Sequence, residues 1–234
     1  KLNSRKSNIE MPEWARSVLR LIVTVVSISL AGWIILSGPS AISEPAANPE
    51  DPARENLTRV VYPSMDKIAW RPHFIRPHDS VESLFGQDWP LVARFNRIDR
   101  RHLYPGMTIK IPVRMADLIG YSPLPNFHAP ARRHEKYILI NVTEQWIGAY
   151  EFGRLAFSMP AATGKNGTET PTGIFRIDAR HRNHTSSLYK TDDDSAQYPM
   201  DNAMRFHIGQ DNVSYWIHAR DLPGRPASHG CVGL

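Results

Sequence analysis

A basic segment, Lys1 to Arg20, leads into sixteen uncharged and mostly apolar residues, Leu21 to Leu36. Counted from Val18, this run approaches the ~20 residues that a helix needs to span hydrocarbon. Only a helix pairs its own backbone groups there. Lys1, Arg5, Lys6, Arg16 and Arg20 precede the run and the acidic stretch Glu44 to Glu55 follows it. That asymmetry predicts a cytoplasmic tail over 1–20, a transmembrane helix or signal anchor over 17–37, and the remainder outside. Ala41-Ile42-Ser43 also reads as a small-x-small cleavage site, and a cleaved signal peptide would export the remainder equally. Ser37 to Asn56 is rich in Pro, Ala, Ser and acids without apolar periodicity, so 38–72 is expected to be a linker.

Periodicity resumes at 73–114. His73 to Arg76 suggests a short strand, and Asp79 or Ser80 can cap a helix whose Val81, Leu84 and Phe85 share one face. Asp88 is expected to cap a second helix, Trp89 to Phe95, with Pro90 at its start. Pro105-Gly106 reads as a turn and Met107 to Pro112 as an alternating strand, so the order is βααβ. Residues 115–135, with Pro123, Pro125 and Pro130, read as a second linker, its Arg132 and Arg133 in solvent. From Lys136 the texture becomes strand-like: Tyr137–Val142, Trp146–Tyr150, Leu155–Met159, Gly173–Ile177 and Ser214–His218, with Glu151 to Arg154 a hairpin turn. Short strands separated by turn signals predict a mainly β sandwich over 136–234.

Composition narrows the chemistry. The formal net charge is +5, a sign that suits anionic envelope polymers or nucleic acid. No basic patch interleaved with aromatics supports nucleic acid. The single cysteine, Cys231, rules out an intrachain disulfide and a multi-cysteine zinc site. A free cysteine is commonly a small buried hydrophobe. Here, however, it ends the stretch Ser228-His229-Gly230-Cys231, and His218 lies thirteen positions upstream. A thiol becomes a nucleophile near neutral pH when a base or a positive neighbour draws off its proton, and histidine is the natural base. Backbone N–H groups at Gly230 and Cys231 are candidates for an oxyanion hole. His229 is assigned orientation or electrostatic support, Ser228 the shaping of the turn or the orientation of His218 through its carbonyl, and Trp216 a place in the cleft wall. His181 and His184 could pair on a metal, but no third ligand is near in sequence and a solvated loop is expected. Asp192 to Asp194 lacks the spacing of a calcium loop and reads as a surface turn. Gly164 to Gly167 lacks the spacing of a phosphate loop. Thiol acyl transfer calls for no metal or cofactor.

Two resemblances follow. His78 to Leu84, Asn96 and Leu103 to Pro112 resemble a LysM domain, a family that binds glycans containing N-acetylglucosamine; His78 stands where that family has glycine. Residues 136–234 resemble the YkuD-type L,D-transpeptidase catalytic domain, through Thr163-Gly164-Lys165, Thr170 to Phe175, His218, and Ser228 to Cys231. Met200, beside Pro199, falls in the stretch that the family places next to its site.

The resemblance implies a periplasmic cell-wall enzyme, anchored to the inner membrane or released after cleavage. Cys231 would take the acyl group of a peptidoglycan tetrapeptide stem as a thioester and pass it to an amine of a second stem or of an envelope lipoprotein. Transfer to water instead would give an L,D-carboxypeptidase or amidase-type hydrolase. A glycan-binding protein with an inactive cysteine is the reading from another class. Gly233 replaces the arginine common two residues after the cysteine, and His218-Ala219-Arg220 replaces the usual His-Gly-Thr. The family's domain continues past the cysteine block, so the sandwich is expected to be C-terminally truncated, unstable or inactive alone.

Overall fold

The computed structural model describes residues 56–191 and 193–234. The expected membrane segment and the first part of the linker lie outside these residues. Among the described residues, no helix is long and apolar enough to cross a membrane.

The small N-terminal unit has the order strand, helix, helix, strand. β1 (Trp70–Phe74) pairs antiparallel with β2 (Thr108–Pro112), Trp70 opposite Pro112 and Phe74 opposite Thr108. Between them lie α1 (Val81–Phe85) and α2 (Trp89–Asn96). Ser80 caps α1 reciprocally with Ser83: each side chain takes the other's backbone N–H, at 3.0 and 2.9 Å. Asp88 makes no such bond, because a 3-10 turn over Gly86–Asp88 runs straight into α2. The expected strand at His73 to Arg76 lies slightly earlier, and His78 adopts φ 74°, a conformation that glycine takes without strain.

β2 does not alternate. Ile109, Lys110 and Ile111 are all buried. Lys110 is carried inside because its ammonium donates to the carbonyls of Leu57 and Val60, the latter at 2.5 Å, and lies over the Trp70 ring. Burial, followed by the nearby Arg97 charge, lowers its pKa to about 8. Those carbonyl partners correct the linker reading for residues 56–72, the described part of 38–72. Leu57, Tyr62, Met65 and Ile68 are buried, Leu57 against Ile109 and Val92, and Met65 against Phe95. The segment is part of the core.

The C-terminal unit is a sandwich. β3 (Tyr137–Asn141), β4 (Trp146–Glu151) and β5 (Arg154–Pro160) form an antiparallel meander. Phe152 and Gly153 take φ 46° and 82°, the pair of left-handed residues that a two-residue hairpin needs. The facing sheet has the order β11-β10-β9-β6, with β6 (Ala179–His181), β9 (Ala203–Ile208), β10 (Ser214–His218) and β11 (Val232–Gly233). Ile147 and Met159 from one sheet meet Phe206, Ile217 and Val232 from the other. A separate hairpin, β7 (Thr185–Lys190) with β8 (Gln197–Pro199), stands beside this sheet.

Two expectations change here. Gly173–Ile177 is not a strand: Phe175 and Ile177 reach the core while Ile174 is 92 % exposed, but no neighbouring backbone pairs with the segment. Ladder pairing begins only at Ala179. Likewise 115–135 is not a free linker. Tyr121 packs edge-on against Trp146 at 5.7 Å, the Tyr150 hydroxyl donates to the Pro125 carbonyl at 2.9 Å, and Leu124 covers Gly148 so closely that a Cβ there would meet it at 2.6 Å. This is why β4 is buried on both faces. Arg132 and Arg133 are exposed.

The units are joined by polar groups. Arg97 of the N-terminal unit, 1 % exposed, pairs with Glu144 of the β3–β4 turn at 3.2 Å, and Ser64 completes the cluster by donating its N–H and hydroxyl to the same carboxylate at 2.9 and 2.6 Å. Asp99 accepts the Leu222 N–H at 2.7 Å, and Gly224 donates to the Arg97 carbonyl at 3.0 Å. The loop between His218 and Ser228 is thereby held by the small unit.

Candidate active site

β10 ends at His218, and the chain returns through the docked loop into Ser228–Cys231 and then β11. β11 pairs with β10 in parallel, Ile217 opposite Val232 and His218 opposite Gly233. Cys231 immediately precedes β11, in a bend, while His218 ends β10; the pairing of these two strands brings both residues to the same cleft. The thirteen-residue separation is closed by this register. Ser214, Trp216, His218 and Arg220 follow at intervals of two, and all four line one cleft of about 360 Å³ with Cys231, His229 and Met200.

Inside the cleft wall, His218 is 3 % exposed. Its Nδ1 lies 2.8 Å from the carbonyl of Ala219, which can only accept, so Nδ1 carries the proton and Nε2 keeps its lone pair. Burial lowers the His218 pKa to about 4, against the raising effect of the Ala219 bond and with further lowering by the charges of Arg220 and His184. Burial likewise raises the thiol of Cys231, while the backbone of Trp216 and the charge of Arg220 pull it back toward the thiolate. The resting pair is therefore neutral thiol and neutral imidazole, with a vacant ring nitrogen as the proton acceptor.

Ser228, fully buried, shapes the cysteine turn. Its hydroxyl donates to the Cys231 carbonyl at 2.5 Å and accepts the Gly230 N–H at 3.1 Å. Two expectations are corrected by these bonds. The Gly230 N–H is engaged locally and is not an oxyanion donor in this arrangement. The Ser228 carbonyl takes the Lys165 N–H at 3.0 Å and the Thr168 hydroxyl at 3.1 Å, so it does not orient His218; Ala219 does. Gly230 is glycine for another reason: its φ is 107°, and a Cβ there would lie 2.5 Å from the Tyr215 ring.

The segment Thr163 to Thr170 braces that turn. The Thr163 carbonyl accepts the N–H groups of Ala227 and Ser228 at 2.9 and 3.0 Å, and the Thr170 hydroxyl accepts from Gly164 and donates to the Gly230 carbonyl, both at 2.9 Å. A Cβ on Gly164 would lie 2.0 Å from the Thr168 carbonyl. Those sequence blocks serve the cysteine without touching the cleft.

His229 is exposed and stacks on Tyr189 of the β7–β8 hairpin at 4.4 Å and 16°. Trp216 and Met200 pack together beneath the thiol. His181 to Asn183 are exposed, as a solvated loop would be, yet both histidine rings pack against Trp216, at 5.5 and 4.3 Å, and His184 lines the cleft. Asp193 and Asp194 sit in an exposed turn. Asp99, His102 and Asp221 place ligand atoms within 4.8 Å of one another, but Asp99 is committed to Leu222 and His102, and Asp221 to Arg101 at 2.9 Å. Sequence reasoning gave no role to Tyr189, Tyr198 or Arg220. For Arg220 a signal existed, because it continues the period-two face of Trp216 and His218.

Comparison with known proteins points to one family. The chain matches no curated protein. Similar solved structures include an L,D-transpeptidase from Xylanimonas cellulosilytica, 25% identical, covering 63% of this chain and 68% of that one with a TM-score of 0.43. An L,D-transpeptidase from Mycobacterium smegmatis is 21% identical, covering 43% of this chain and 49% of its own with a TM-score of 0.36. Another from Stackebrandtia nassauensis is 22% identical, covering 44% and 46% with a TM-score of 0.35. The chain thus spans about half the length of the latter two. Residues 135–234, the stretch that holds the sandwich, Cys231 and His218, match the family model of the YkuD L,D-transpeptidase catalytic domain.

Proposed function

We propose that residues 135–234 catalyse L,D-transpeptidation on peptidoglycan stems. The observation that carries this reading is that Cys231 and His218 line one cleft, within the stretch that matches the family. In the first half-reaction the Cys231 proton passes to Nε2 of His218 as sulfur bonds to the carbonyl carbon of the stem's third residue. The carbon–nitrogen bond to the terminal D-alanine then breaks, and the imidazolium returns the proton to the departing amine. The product is a thioester. In the second half-reaction an acceptor amine attacks that carbonyl, its proton passes to His218, and the carbon–sulfur bond breaks to regenerate the thiol. Splitting the transfer in this way replaces one hard step with two easier ones.

The low basicity of buried His218 suits a transient acceptor, since the proton is held only while the tetrahedral centre exists. The acceptor, a stem amine or a lipoprotein amine, belongs to the same proposal. So do glycan binding by 73–114, the membrane anchor at 17–37 and a location outside the inner membrane, which rest on the sequence. Intact-mass analysis with a carbapenem tests the thiol: one adduct is expected on Cys231 and none on Cys231→Ala. Muropeptide analysis tests the reaction. Cross-linked dimers support transfer to an amine, whereas tripeptides alone would replace this reading with hydrolysis.

A further inference from the structure

Gly233 and Arg220 occupy one space. A Cβ built on Gly233 would lie 2.8 Å from the Arg220 Cβ, 2.9 Å from its Cδ and 3.3 Å from its Cγ. Gly233 has no left-handed backbone that would demand glycine. What it supplies is room: the aliphatic stem of Arg220 crosses β11 where a side chain at 233 would stand. The backbone is fixed on both sides of the crossing, since the Arg220 N–H donates to the Leu234 carbonyl at 2.9 Å and the Leu234 N–H to the His218 carbonyl at 3.0 Å. The guanidinium then lies along the cleft wall with Cys231 and His218.

The arginine has donors to spare. One nitrogen donates to the Ala227 carbonyl at 3.2 Å, and the Tyr198 ring lies 5.9 Å away. A guanidinium carries five N–H donors in a planar fork that fits a carboxylate. Among the described residues no carboxylate pairs with it, and Asp211, the acid that lines the same cleft, is not within ion-pair distance. Its charge is felt at the reacting atoms, favouring the thiolate of Cys231 and disfavouring protonation of His218 and His229. A cation so placed serves an anion close to the sulfur.

The stem supplies such an anion. The residue that departs from the scissile carbonyl has a free carboxylate one residue away, so a group that holds it must sit beside the nucleophile. Resting on the transpeptidase reading above, we infer that Arg220 binds the terminal carboxylate of the leaving residue, and that glycine at 233 makes room for this arginine to enter from β10. Binding there orients the scissile carbonyl over Cys231 and selects stems with a free C-terminus. The guanidinium also remains near the sulfur when the C–S bond of the thioester breaks in the second half-reaction.

Two measurements test this on the full chain. The first compares a tetrapeptide stem with its C-terminal amide, as substrates of the native protein and of Arg220→Gln. The charged pair is expected to raise kcat/KM for the carboxylate about 10- to 100-fold over the amide, a preference that Arg220→Gln abolishes and Arg220→Lys partly keeps. A mere bracing role would lower both substrates equally, and that result would overturn the inference. Gly233→Arg alone is expected to collide with Arg220, while Gly233→Arg combined with Arg220→Ala should recover the carboxylate preference from the other strand. The second measurement needs no peptide activity. Iodoacetate and iodoacetamide alkylate the same sulfur, but only the former carries a carboxylate. Their rate ratio at Cys231 should fall several-fold in Arg220→Gln and hold in Arg220→Lys. An unchanged ratio sinks the Arg220 assignment. A lowered ratio in a protein that never acylates on a stem keeps the carboxylate site and refutes the transpeptidase reading instead.

Discussion

The Nδ1–H of His218 is spent on the carbonyl of its own neighbour, Ala219, at 2.8 Å. One local bond thus sets the tautomer of the candidate base, and it needs no third side chain. The bond survives because the loop after His218 is held elsewhere, Leu222 by Asp99 and Gly224 by the Arg97 carbonyl.

Burial of neutral His218 ties stability to pH. Its folded pKa of about 4 lies below the ordinary histidine value of 6.5, so between these values the unfolded chain binds the extra proton. The contribution is fully present above pH 6.5 and is lost as pH falls toward 4, about 3 kcal/mol in all. Denaturant titrations across this window should show that loss, and His218→Gln should flatten it. A wild-type curve flat in this range would contradict the burial argument. Because the Cys231 thiol is raised, alkylation of the resting protein by iodoacetamide should keep accelerating into the alkaline range.

Ser228→Ala removes a hydroxyl that ties the Cys231 carbonyl to the Gly230 N–H inside a fully buried turn. Leaving both groups without that partner is expected to cost about 1–3 kcal/mol and to slow carbapenem acylation of Cys231. Chemical denaturation and timed mass spectrometry read the two effects separately.

Glu144→Ala strips the carboxylate from Arg97, which is buried between the units. An uncompensated buried guanidinium predicts a loss of about 3–5 kcal/mol, seen as a lowered midpoint of unfolding. Paired replacement of Arg97 and Glu144 by apolar residues should cost less than Glu144→Ala alone.

Asp99→Ala tests whether the small unit steadies the active-site loop. It frees the Leu222 N–H and is expected to cost about 1–2 kcal/mol of stability. Faster hydrogen exchange should appear at residues 221–226, far from residue 99 in sequence, together with slower acylation of Cys231. Exchange confined to residues near 99 would show the loop to be independent.

Much of the sandwich was legible because short runs rich in apolar, β-branched and aromatic residues and bounded by turn signals mark strands, as at 137–142, 146–150, 155–159 and 214–218. β9 was not read as a strand, although Met204, Phe206 and Ile208 alternate with Arg205 and His207; on the opposite face Arg205 is held by Asp178 at 2.9 Å and lies over the Trp216 ring. Gly173–Ile177 alternates in its burial but has no backbone partner, and periodicity reports which way side chains face, not whether a ladder forms. The two segments read as linkers failed for a shared reason. Proline and acid content marks irregular backbone, and irregular backbone can still bury Leu57, Met65 and Leu124 when a neighbouring unit covers it.

By itself the sequence determined the chemical parts: one thiol, a histidine thirteen positions before it, a glycine-bearing turn between buried strands, and local caps such as Ser80 with Ser83. These depend on residue type and short spacing, which a chain carries wherever it folds. The tertiary structure decided which parts meet. Parallel pairing of β10 with β11 brought His218 and Cys231 to one cleft and laid Arg220 across the space that Gly233 leaves open. Register between strands distant in sequence is chosen by the packing of both sheets together, and no window of the chain contains that information.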